Sequence, residues 1–480
     1  MQGKGLITIG ALLIAGAYGQ VAAVPGDASP RAMALGQAYT ALARGPEAVF
    51  WNPANLALSD SRKFSWDLLG AGLCLAVENN SFSVATYNAH FTAANEKVSP
   101  NGSPYYISPV EKKKLLADIP DAGLRINGDI EPTVVAGLPL NGGVAFAVEE
   151  VRSAIAVGFT SGVESEIPKD VLELFFFGNE FAEDRLVAGK SEGYDISDWN
   201  GSGWAVGTLN VAVAKPALPA RLAPYLSEFT VGSTLKLSMG TYGEIIESGG
   251  TGLVAHVGGA EADAWLIAQH AKMGVGVGID VGIAGRSKSR KTTFSFSALN
   301  LLDMFSWNEG VRQDSIFLAT NELRISRFLD ADSRSIEEVF DNPDFDGDGD
   351  PDFTKQISQK PFSRSLPAML RFGVAYQARP QLTVVGNWDQ AFSSKFGMRT
   401  RPRLAGGVEY WLADWLPARI GLSLGGRSSS SAVGFAFGPF VLSSMQVRLL
   451  ETSLAMRGGL LPGIARGTAV SVMFFRLSLG

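Results

Sequence analysis

Gly274 to Ala284 reads GVGVGIDVGIA, with Val275, Val277, Ile279, Val281 and Ile283 on one parity and Gly274, Gly276, Gly278, Asp280 and Gly282 on the other. A period of two sends these sets to opposite faces of a β-strand. One face is continuously apolar, and the other is small or polar. Val231 to Thr241 repeats the pattern, with Val231, Leu235, Leu237 and Met239 against Gly232, Thr234, Lys236, Ser238 and Gly240. Val144–Glu149, Phe294–Leu302, Leu370–Tyr376, Leu382–Trp388, Leu404–Leu412 and Arg419–Gly425 follow suit. If the apolar face looks outward, the glycines on the inner face leave room for something to fill the interior.

Composition says which way the apolar face looks. Hydrophobic residues make up 46% of the chain and charged residues 18%, and 55 of the 480 residues are glycine. Soluble proteins carry about 25% charged residues and about 7% glycine. The missing charge must come off a surface that does not face water, and lipid is the natural candidate. The net charge of −6 argues against a nucleic-acid partner, which requires clustered Lys and Arg. Cys74 is the single cysteine and excludes an internal disulfide; in the apolar run LLGAGLCLAV it reads as a small buried hydrophobe.

The first 23 residues, with Lys4, an apolar core from Leu6 to Ala17 and small residues at Val21-Ala22-Ala23, read as a secretory signal cut after Ala23. Beyond it no stretch approaches the 18 to 20 or so apolar residues of a membrane-spanning helix. The mature chain is therefore a membrane barrel or a soluble β protein with one wet face. Tryptophans favour the barrel. Trp204, Trp307, Trp388, Trp411 and Trp415 stand at or beside strand ends, where aromatic girdles sit at the two membrane interfaces. At ~10 residues per strand, the length suits roughly 12 to 16 strands.

One segment before the strands differs from all of this: Arg31 to Leu58, RAMALGQAYTALARGPEAVFWNPANLAL. Arg31 to Arg44 suits a helix lined by small residues, stopped by Gly45-Pro46; Glu47 to Trp51 suits one more turn, and Asn52-Pro53 forces a bend. The order of small-residue helix, Ala-rich turn, aromatic pair and Asn-Pro-Ala resembles the N-terminal signature of FadL-type outer-membrane transport proteins and their PorV-like relatives. The resemblance implies a fourteen-stranded transmembrane antiparallel β-barrel over residues 64–480, with residues 24–63 forming a helical hatch inside the lumen. It marks Trp51, Asn52, Pro53, Ala54 and Asn55 as the hatch motif. Where those families often have glycine, this chain has Asn55, a residue that tolerates left-handed dihedrals.

Val110–Ile119 and Pro168–Gly178 read as loop or plug helices, the second carrying Phe175, Phe176 and Phe177, and Ala262 to Lys272 reads as a third. The sharpest chemical motif is Asp341 to Phe353, DNPDFDGDGDPDF. Asp344, Asp346, Asp348, Asp350 and Asp352 stand two apart, spacing that turns several carboxylates toward one hard cation such as Ca²⁺. Lys355 occupies the position where an EF-hand has its bidentate Glu, so the expectation is a shorter structural calcium loop; without an ion the run is a disordered acidic loop. His90, His256 and His270 have no metal-ligand spacing, and no nucleophile elbow, zinc-protease or phosphate-loop motif occurs. The chain is thus read as no enzyme but a bacterial outer-membrane barrel passing or binding hydrophobic, fatty-acid-like molecules. Two alternatives stay open: a PorV-like accessory barrel for protein secretion or surface attachment, with a secretion-system partner, and a soluble secreted β protein with a calcium loop.

Overall fold

The computed structural model describes residues 27–87, 108–132, 134–135, 138–139, 142–177, 193–256, 259–323 and 353–479. The signal reading, His90 and the five spaced aspartates Asp344 to Asp352 lie outside the described residues.

Fourteen antiparallel strands run around the barrel. β1 is Phe64–Asn79, β2 is Leu124–Pro132 continued by Gly142–Val148, β3 is Val151–Ile167, β4 is Asn200–Pro216, β5 is Leu226–His256 and β6 is Gly259–Ser287. β7 runs in three pieces, Thr292–Leu299, Met304–Glu309 and Arg312–Leu323, and β8 in three, Phe353–Ser358, Phe362–Ser363 and Met369–Arg379. β9 is Leu382–Ala391, β10 Arg403–Ala413, β11 Leu416–Gly425, β12 Ser430–Phe437, β13 Leu450–Arg457 and β14 Gly467–Leu479. Each strand pairs with its neighbour in sequence, and β14 returns to β1 from Trp66↔Leu479 to Glu78↔Gly467, so the sheet has no edge. Apart from one seam between β1 and β2, closure satisfies the strands' ladders without water, which the hydrocarbon layer demands.

The exterior confirms lipid. Leu235, Leu237, Met239, Val275 and Val277 point outward and are exposed, whereas Thr234, Lys236, Ser238 and Asp280 on the opposite parity are buried in the lumen. A belt of this kind around a closed barrel excludes the soluble reading, whose wet face would be polar. Strands joined by short turns at one end and long loops at the other give the polarity of an outer-membrane barrel: the turn ends face the periplasm and the loop ends the outside.

One seam of the wall is incomplete. Leu73–Asn79 of β1 pair with Ile126–Pro132 of β2, and Phe64–Trp66 with Val144–Phe146. Between them, Asp67 to Gly72 pair only with β14 among the described residues. There β2 leaves the wall, and Val134–Val135 pair with Leu138–Pro139 in a separate ladder.

Three expectations need correction. Ala262–Lys272 is strand, inside β6, because β5 and β7 supply ladder partners on both sides, Ala268 lying opposite Ile245 and Asp314. The helix expected over Arg31–Arg44 is only α1, Pro30–Ala34, because Gly36 and Gln37 take positive φ (64° and 73°) and turn the chain. Trp204 and Trp307 are not girdle residues: both are buried in the lumen, in a cluster with Tyr242, Phe305 and Phe396. Trp415 does sit at a rim, edge-on to Phe437 and stacked with Phe440. After α2 (Ala48–Trp51) and the short α3 (Val84–Tyr87), the two expected loop helices form as α4, Pro109–Ala117, closed by a Ser108–Glu111 capping box, and α5, Lys169–Phe177. The side chains of Phe175 to Phe177 lie outside the description.

Candidate functional site

The N-terminal segment from Asp27 onward fills the lumen. Its apolar side chains Leu35, Tyr39, Val49, Phe50 and Trp51 form one core with small wall residues, Ala154 and Ala156 of β3 and Ala212 and Ala214 of β4. Cys74 is buried as expected, packed in the lumen beside Ala28 and Met33.

Small inner-face residues decide where this segment sits. A Cβ added at Gly407 would lie 2.8 Å from the Leu35 carbonyl oxygen, at Gly434 2.6 Å from the Ala34 Cβ, at Gly373 2.8 Å from the Thr40 Cβ and at Gly232 2.6 Å from the Ala54 nitrogen. Gly421 and Gly282 meet Gly36 and Asn52 in the same way. These six glycines are therefore slots for the hatch, spread over β5, β6, β8, β10, β11 and β12, whereas Gly274 and Gly276 make room for the Trp307 and Phe305 rings.

The hatch motif binds to β5, β6 and β7. Asn52 takes the extended conformation (φ −158°, ψ 108°) that a following proline requires. Its Oδ1 accepts from the Ala54 N–H at 3.0 Å, capping a 3₁₀ turn over Pro53–Ala57, while Nδ2 donates to the carbonyls of Ile283 (2.9 Å) and Phe296 (3.2 Å). Wall hydroxyls satisfy hatch carbonyls in return: Ser297 donates to Trp51 at 2.7 Å and Thr230 to Ala54 at 2.8 Å. Asn55 has no positive φ, so left-handed tolerance is not why it is here. Its fully buried amide donates to the carbonyls of Thr40 (2.8 Å) and Ala43 (3.1 Å) and accepts from Ser295 Oγ (2.7 Å), tying the turn to the rest of the hatch and to β7.

Sequence reading missed the charges that bracket this motif. Arg31 makes a two-pronged pair with Glu409 (2.8 and 2.9 Å); Glu409 also accepts from Arg419 (2.6 Å), which reaches Glu451 (2.7 Å). Toward the periplasm, Tyr39 donates to Glu47 at 2.8 Å and Glu47 pairs with Arg476. Burial alone would raise the Glu47 carboxyl, but Arg476, Arg448 and the Tyr39 hydroxyl outweigh it and hold its pKa at about 2. Asp60 pairs with Arg44 at 2.8 Å and with Arg286. Near the outer end Asp27 pairs with Arg371 at 2.8 Å, whose guanidinium lies 4.2 Å over the Trp51 ring. A signal did exist: Arg371, Glu409, Arg419 and Glu451 sit on the inward parity of otherwise apolar strands. Among the described residues no group of three His, Cys, Asp or Glu is placed to hold a metal ion, and the clustered charges pair with one another.

Residues 243–444 match a model described as "Family of unknown function (DUF5723)". No curated protein matches the chain in sequence. Among solved structures, the chain is similar to a Pseudomonas aeruginosa FadL homologue, with 12% identity, 96% of this chain and 99% of that chain covered and a TM-score of 0.49. It is also similar to the Ralstonia pickettii toluene transporter TbuX (12%; 94% and 97%; 0.47) and the P. putida toluene transporter TodX (10%; 90% and 93%; 0.46).

Proposed function

We propose that the protein passes small hydrophobic or amphipathic molecules inward across the bacterial outer membrane through a lumen that the hatch keeps closed to water. The observation that carries this reading is the pairing of a packed plug with an apolar interior above it. On the outer side of the hatch, Trp204, Tyr242, Phe305 and Trp307 line the inside of the wall, with Phe305 and Trp307 stacked at 4.3 Å and Phe396 of the β9–β10 loop packed against Trp204 and Tyr242. An aqueous porin has no use for such a lining, because polar solutes gain nothing from it. An apolar solute does: it is slowed at the polar outer leaflet, and buried aromatic surface offsets its transfer. The stretch of β1 at Asp67–Gly72 that has no β2 partner among the described residues gives such a solute a sideways route toward lipid. No feature among the described residues singles out a protein-docking face, so the accessory-barrel reading gains no support.

Deleting Arg31–Leu58 tests the plug. The purified, heat-modifiable barrel should conduct ions in planar bilayers when the segment is gone and stay closed when it is present. Equal conductance with and without it would refute the reading.

A further inference from the structure

Charge is unevenly spread around the periplasmic end of the barrel. Three consecutive turns carry six exposed cations: Lys215 and Arg221 at the β4–β5 turn, Lys288, Arg290 and Lys291 at the β6–β7 turn, and Arg379 at the β8–β9 turn. Residues 215–226, 287–292 and 377–382 contain no Asp or Glu, and none of the six cations makes an ion pair among the described residues. Two carboxylates beside the turns, Glu228 of β5 and Asp60 of the hatch, are both held by Arg286. The turns to either side have the opposite sign. Glu149 and Glu150 are exposed between β2 and β3, and Asp414 between β10 and β11.

Backbone bonds join the three turns into one surface. The Lys288 N–H donates to the Tyr225 carbonyl at 3.2 Å, and the Gln377 N–H donates to the Lys291 carbonyl at 2.8 Å. Like charges gathered on one surface repel, and the field they make draws counter-charge from outside the chain. Depth says what lies there to supply it. Tyr376, paired in register with Thr292, faces outward at 45% exposure, Tyr410 opposite Leu382 at 43%, and Tyr225 at 72%. Tyrosines at the ends of outward-facing strands mark the headgroup layer of a membrane. The cations follow directly on these rings, at the level of lipid phosphates and within reach of long, flexible side chains.

We propose that these three turns form a docking surface for the phosphate headgroups of anionic phospholipid in the inner leaflet of the outer membrane. The lipid supplies the counter-charge that the chain omits, and the tyrosines lie along its glycerol and upper acyl carbons. An acidic protein would meet the same cations, but the ring of tyrosines beside them suits a partner with a charged head and an apolar body. Because the flanking turns are acidic, anionic lipid gathers on the β4 to β9 side of the barrel and leaves the β1–β2 seam free of it. The inference concerns the outside of the wall and stands apart from the transport reading.

The test uses the full chain in detergent micelles, with phosphatidylglycerol and phosphatidylcholine of identical acyl chains as probes and native mass spectrometry to count the lipids retained. Phosphatidylglycerol should be held roughly twentyfold more tightly, two cations per headgroup at about fivefold each. Lys288→Gln, Arg290→Gln and Lys291→Gln combined in one chain should abolish that preference. The control combines Lys114→Gln, Lys360→Gln and Lys395→Gln, which removes as many exposed cations from the outer side and should leave the preference intact. Equal retention of the two lipids by the unaltered chain, or the same preference in both triple variants, overturns the proposal. Labelled polyglutamate separates lipid from protein as the partner: in nanodiscs containing phosphatidylglycerol it should not bind, because lipid already covers the turns. Polyglutamate binding that the change at residues 288, 290 and 291 abolishes would make the surface a protein-docking face and overturn the lipid assignment.

Discussion

At the scale of single residues, the hatch is held by polar groups that water cannot reach. Asn55 satisfies two carbonyls and one hydroxyl at once, so truncation strands all three, and each buried orphan costs about 1–3 kcal/mol. Asn55→Ala should lower the midpoint of urea unfolding and open residues 40–58 to protease; an unchanged midpoint would mean the bonds are not holding the turn. Glu47 predicts a pH effect. Its folded pKa of about 2 lies below the usual 4.5, so its pairing stabilises the protein fully above pH 4.5 and is lost as pH falls toward 2. Thermal stability should therefore drop across that window, and Glu47→Gln should flatten part of the drop. Asn55 also shows what one sequence conceals. Its conformational tolerance was legible, but its bonds depend on partners up to 240 residues away, and no local pattern announces them.

At the scale of elements, strands were legible and the hatch was only half so. A period of two survives in every strand because lipid enforces one face and lumen contents the other. Ala262–Lys272 misled because its apolar residues also suit a helical period, and only the ladders of β5 and β7 decide between them. Trp204 and Trp307 misled because a strand end can face lumen or interface, and position along the chain does not say which. The glycines carried more than their alternation revealed, since each slot is matched to one point of the hatch. Gly407→Val should drive a side chain into Leu35, an overpacking worth about 1–3 kcal/mol, and so raise ion conductance while the barrel stays folded. Gly406 is the control: a Cβ there meets only the Val385 oxygen, at 3.7 Å. Gly406→Val should therefore leave conductance unchanged, and equal leaks from the two variants would remove the slot argument.

At the scale of the whole molecule, two neighbouring positions on β5 show that the barrel has two solvents. Lys236 points inward and is buried, yet it is paired with Asp280 at 2.8 Å and donates to Asn300 at 2.8 Å. Leu237 points outward at 48% exposure into the apolar belt, where no partner and no water can meet a charge. An arginine at 237 should thus cost about 2–4 kcal/mol near the bilayer midplane. Moving the charge toward the periplasmic rim, as in Val148→Arg at the exposed end of β2, should cost less, because a long side chain reaches the headgroups there. Urea unfolding from lipid vesicles measures both. A steep difference between the two sites requires that the belt face hydrocarbon at 237. Equal, small costs would mean that Leu237 is covered by something other than lipid, and the outward parity would then have to be reassigned as a protein interface.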